Sequence, residues 1–229
     1  MSAVTTTTRP LTASRRPALR AWLLWTTGFL AFPVAGLAGT AVAGRLDGPT
    51  AAVLGGLATG AVLGLGQALV SSGRLPLLRW TVATAVGMGV GLLLGARAVD
   101  YGTTIEQLAV MGALTGAVLG PAQALVLPHR ARRRWAWALA MPVVWATGWT
   151  VTTAAGIAVE EQFTLFGASG AVTATALLGV LLQGVLPTPA RRKDSATTSS
   201  ITATTSSITA TTGSITATAS SITARGDHP

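Results

Sequence analysis

The chain has 229 residues, half of them apolar and only a tenth charged, with a net charge of +9 and no cysteine. A soluble domain carries about a quarter charged residues, so apolar runs of this length set aside a soluble fold and predict an all-α membrane protein. The missing cysteine excludes disulfides, thiol nucleophiles and thiolate metal sites.

The N-terminal stretch, 1–20, is Thr-rich and basic, with Arg9, Arg15, Arg16 and Arg20, and reads as a disordered segment. An apolar run over 21–43 follows. Ala41-Val42-Ala43 has the form of a signal-peptidase site, and the stretch from Ser14 to Arg20 is similar to a twin-arginine signal. The simpler reading is a retained first helix behind a positive anchor, because this run shares a pattern with later ones. Five more runs are long enough to span about 30 Å of hydrocarbon: 50–70, 77–97, 105–127, 135–158 and 163–186. Together they give a transmembrane domain over 21–187. Pro33 and Pro142 fall inside the first and fifth runs and read as kinks.

The loops predict orientation. Arg74 and Arg79, then Arg130, Arg132, Arg133 and Arg134, then Arg191, Arg192 and Lys193 follow alternate spans. The intervening loops hold Asp47, Asp100, Glu106, Glu160 and Glu161, with Arg45 and Arg97. Lys and Arg are retained on the cytoplasmic side, so six spans run N-in and C-in. The arginine clusters are also placed to touch anionic lipid headgroups.

One stretch is written twice. Residues 56–70 and 112–126 place glycines at Gly56, Gly60 and Gly64, then at Gly112, Gly116 and Gly120, with Gln67 and Gln123 three residues after the last. At about 100° per residue these side chains share an arc of roughly 80°. Such a face of small residues predicts close helix packing in a bilayer. Each odd run carries a Trp followed by a Gly eleven residues on: Trp25 and Gly36, Trp80 and Gly91, Trp137 and Gly148. Trp80 and Trp137 fall near the cytoplasmic boundary, where indoles favour the interface. The pattern predicts three repeated helical hairpins, the third degraded, with Ala176 and Val180 in glycine positions. Gln67, Gln123 and Gln183 precede Arg74, Arg130 and Arg191 by seven, seven and eight residues. That places all three amides about 10–12 Å from the cytoplasmic anchors. They read either as glue between helices or as an intramembrane polar ring.

These units resemble those of bacterial multi-span membrane proteins built on repeats of the form G-x-x-x-G-x-x-Q-W-x-V-L, a basic loop and a Trp-led helix. Gly60, Gly64 and Gln67, with Gly116, Gly120 and Gln123, match that form, whereas Ala68 and Ala124 replace its Trp. The resemblance covers about residues 20–190 and implies architecture, not an activity.

Residues 188–229 differ in kind. A seven-residue unit repeats with Ile201, Ile208, Ile215 and Ile222 in register. A coiled coil needs two apolar positions per heptad, so this reads as a disordered Ser/Thr-rich cytoplasmic tail.

Catalysis finds little support. Gly167-Ala168-Ser169-Gly170 is similar to the serine motif of rhomboid-type proteases, which need a histidine within the bundle. The two histidines are His129, in a basic loop, and His228, in the tail. No clustered ligands predict a metal, no Gly-Lys-Ser or Gly-Lys-Thr predicts a phosphate loop, and no cofactor is implied. Basic clusters at membrane edges without a stacking platform do not predict nucleic-acid binding. Coupled carriers keep ionisable residues inside the membrane, and the cores of these runs hold none; Glu106, Gln107, Glu160 and Glu161 fall at the outer boundary. The sequence therefore predicts a structural or interaction protein of the bacterial inner membrane, not an enzyme. Its expected partners are the bilayer and a second membrane protein or second copy. The alternative is a passive conduit for a small solute.

Overall fold

The computed structural model describes residues 15–157 and 167–186. The readings of 1–14, of Glu160 and Glu161, and of the tail, with Arg191, Arg192 and His228, lie outside the described residues. Every regular element among those described is helical: α1 (Arg15–Thr26), α2 (Ala31–Ala43), α3 (Pro49–Val70), α4 (Leu77–Ala98), α5 (Ile105–Val126), α6 (Arg134–Ala154) and α7 (Ala168–Val185).

The first predicted run is two helices joined by a 3-10 turn, Thr27–Leu30. Pro33 explains the break. It offers no N–H to the Phe29 carbonyl, and its ring crowds the preceding turn. Helix α1 also starts earlier than the run, at Arg15. Pro49 opens α3 in its first turn, where a missing N–H costs nothing. A capping box starts α5: the Gln107 N–H donates to Thr104 Oγ1, and the Thr104 N–H donates to Gln107 Oε1. Pro121, which sequence reading did not mark as a kink, also lies inside α5.

Five segments are long and apolar enough to cross a bilayer: 17–43, α3, α4, α5 and α7. Helix α6 is not among them, although its 21 residues would extend about 31 Å at the ordinary helical rise. Its tryptophans and threonines lower its apolarity, and it ends at Ala154, short of the expected 158.

The helices form a ring. Each packs on the next in sequence, and α1 returns to α7. Among the described residues, no Cα of α3 comes within 8 Å of α5, nor of α4 to α6. Side chains alone therefore meet across the axis. The outer surface is a belt of leucine and valine, with Leu37, Leu69, Leu139, Val143 and Val180 all strongly exposed. The inside holds glycine, threonine, tryptophan and two glutamines. A soluble protein would not leave so continuous an apolar surface open; lipid is its natural cover.

Candidate functional site

The glycine faces set the helix spacing. At Gly56, Gly60, Gly64, Gly112, Gly116 and Gly120 an added Cβ would lie 2.5–2.8 Å from an atom of the neighbouring helix. Gly60 would meet the Thr84 carbonyl of α4, and Gly116 the Met141 carbonyl of α6. Gly120 faces the Ala138 carbonyl, whose helical donor Pro142 removes. A third seam joins α4 to α5, where Gly91 and Gly95 face the carbonyls of Thr115 and Met111.

This close approach brings polar groups together in the interior. The Trp80 indole N–H donates to Gln67 Oε1 at 3.0 Å, and the Trp137 indole donates to Gln123 Oε1 at 3.0 Å. Gln123 Nε2 donates to Thr84 Oγ1 at 2.9 Å, and the Thr84 hydroxyl donates to the Trp80 carbonyl at 2.8 Å. A continuous chain of hydrogen bonds thus runs from α6 through α5 and α4 to α3. Trp80, Thr84, Gln123 and Trp137 are fully buried. The two indoles meet edge to face across the axis, with centroids 5.7 Å apart. Trp80 and Trp137 are therefore interior residues and not interfacial ones, a correction to the sequence reading. The exposed indole at that end is Trp135.

The third glutamine stands apart in register. Gln67 and Gln123 each precede their arginine by seven residues, but Gln183 lies only three before Leu186, the residue that meets Arg74. Gln183 is half-buried, a turn nearer the basic end. Where α3 and α5 seat a glutamine against an indole, α7 presents Gly179, and a Cβ there would lie 2.8 Å from the rings of Trp22 and Trp25. Those indoles donate to backbone instead, Trp22 to the Ala176 carbonyl and Trp25 to the Thr175 carbonyl. These contacts seat α1 on α7 and close the ring.

Arginines fasten the basic end. Arg74 is buried and donates through Nη2 to the carbonyls of Leu182 and Leu186. A basic side chain so placed caps the C-terminus of α7. The Arg132 N–H donates to the Val185 carbonyl. Arg130 Nη2 donates to the Arg74 carbonyl at 3.2 Å across a separation of 56 residues, and Arg74 reaches Leu186 across 112, twice that interval. Burial, and then the charge of Arg130, push the Arg74 guanidinium below its usual pKa.

No protein-family model, curated protein or solved structure matches the chain.

Two residues considered for catalysis are far apart. Ser169 stands in the first turn of α7, and His129 lies in the α5–α6 loop. The length of α6 separates the two ends. Among the described residues, no three His, Asp or Glu side chains gather as metal ligands.

Proposed function

We propose that the chain is a six-span protein built as three helical hairpins, with both termini and the basic loops on the cytoplasmic side of a bacterial inner membrane. It serves there as a structural or interaction protein and not as an enzyme or carrier. The observation that carries this reading is the filled axis at the level of Gln67 and Gln123. Trp80 and Trp137 touch there, and the amide oxygens accept from their indoles. Amides engaged in this way act as glue between helices, each bond contributing about 0.6–2 kcal/mol in a membrane. A solute path would have to part those rings.

The repeat reading draws support from the basic end. Residues 74, 130 and 186 occupy successive places at one interval, and each of the two arginines reaches the main chain of another member of the set. The hairpin resemblance fits the same interval. Orientation rests on the arginine loops. The sixth span is α6, which spans by length and lies in the ring between α5 and α7.

The test pairs two measurements. Proteoliposomes are assayed for flux of glycerol, potassium and protons, and native membranes are treated with a crosslinker. The scaffold reading expects flux no higher than empty vesicles and a crosslinked species containing the chain. Flux above the empty-vesicle rate, lost on blocking the axis, would replace it with the conduit.

A further inference from the structure

We propose that the cleft between the α3–α4 and α5–α6 loops binds the phosphate group of an anionic phospholipid. The cleft encloses about 340 Å³. Arg74 and Arg79 line one wall, and His129, Arg130 and Arg134 line the other. Two features make this more than a charged surface. First, Arg74 is only 8% exposed, and its Nε–H is enclosed without an acceptor although Nη2 is engaged. Arg74, which lines the cleft, thus carries a buried donor left unpaired. Second, among the described residues the arginines have no counter-charge nearby. The carboxylates among the described residues, Asp47, Asp100 and Glu106, all belong to the opposite end of the helices. Arg74 and Arg130 face each other closely enough to hydrogen-bond through main chain, so like charges are held together in a half-dry place. A phosphate would relieve both conditions, because guanidinium groups bind phosphate oxygens in charge-assisted, often bidentate pairs.

The surroundings favour a lipid over a free anion as the source of that phosphate. Leu78 and Leu125, 75% and 73% exposed, flank the arginines on the outer face of the ring. Charged donors above exposed leucines fit a headgroup joined to acyl chains, as in other basic pockets between helices at a membrane surface. The site needs only a bilayer around the apolar belt, so it stands or falls separately from the scaffold reading.

The test titrates short-chain phosphatidylglycerol into the full chain in neutral detergent. Short-chain phosphatidylcholine and inorganic phosphate form parallel arms. Bound lipid is counted by native mass spectrometry, and melting temperature is read on the same samples. Phosphatidylglycerol is expected to bind and to raise the melting temperature, while phosphatidylcholine and inorganic phosphate do neither. The double variant Arg79→Gln, Arg134→Gln leaves Arg74 in place; it should bind about 25-fold more weakly, roughly fivefold for each basic residue lost. Arg97→Gln, at the other end, should bind as wild type does. Equal binding of the two lipids, or undiminished binding by a double variant of normal helicity, would overturn the proposal. Inorganic phosphate reproducing the whole shift would overturn its assignment to a lipid.

Discussion

Replacing Gln123 by leucine tests the polar chain at its most connected member. Gln123 accepts from the Trp137 indole and donates to the Thr84 hydroxyl, so Gln123→Leu removes two interhelical bonds. Thr84 keeps its bond to the Trp80 carbonyl, but the fully buried Trp137 N–H loses its acceptor. Membrane interhelical bonds contribute about 0.6–2 kcal/mol each, and an orphaned buried donor costs about 1–3 kcal/mol. Leucine nearly matches glutamine in volume, so little cavity forms. These terms overlap, and the expected loss is about 2–4 kcal/mol. Gln67→Leu likewise orphans the fully buried Trp80 N–H but breaks one bond instead of two, so it should cost less than Gln123→Leu by about 0.6–2 kcal/mol. Equilibrium unfolding in mixed micelles, followed by helical circular dichroism, measures both. Trp137→Phe completes a double-mutant cycle, because it removes the donor that Gln123→Leu would orphan; a coupling of about 1 kcal/mol or more is expected. Gln123→Leu as stable as wild type, or less damaging than Gln67→Leu, would refute the reasoning. So would a coupling of zero.

Gly116→Leu should destabilise the bundle by about 1–3 kcal/mol or more through overpacking, since its side chain would run into the Met141 carbonyl. Val90→Leu on the exposed face of α4 should be near neutral in the same assay. Arg74→Leu should cost about 2–4 kcal/mol and fray the end of α7, since two carbonyls lose a charged donor; hydrogen exchange at residues 182–186 would register it, and unchanged protection there would count against the cap. Reporter fusions after Arg74, Arg134 and Lys193 should read cytoplasmic, and those near Asp47, Asp100 and Glu160 external; one clean reversal would undo the six-span topology.

Periodic apolar runs and glycine spacing are local signals, and they located most helices within a few residues. What escaped was non-local. Trp80 and Trp137 sit near helix ends, where a single-helix argument sends an indole to the interface. Their placement depends on a glutamine 13 or 14 residues earlier on the adjacent helix. That recurring Gln-to-Trp interval was in the sequence and could have been read as a pair. Aligning Gln183 with the other two glutamines by identity put it at their register, whereas Leu186, only three residues further on, meets Arg74. Val62, two residues from Gly60, still packs against the core, since α3 has neighbours on two sides. Arginine in a loop suggested topology and lipid contact; the role of Arg74 as a cap for α7 needed the ring closed.

Closure of that ring by the first helix is the central claim, and the cysteine-free chain allows a direct test. A Cβ at Gly28 would lie 3.9 Å from Thr175 Cγ2, so the two side-chain positions are neighbours, as a disulfide requires. Gly28→Cys with Thr175→Cys, oxidised in intact membranes, should give an intramolecular disulfide. Leu30→Cys, on the exposed side of the same turn, should give none with Thr175→Cys. No crosslink from the first pair, or a mature chain beginning at Gly44, would contradict the closed ring.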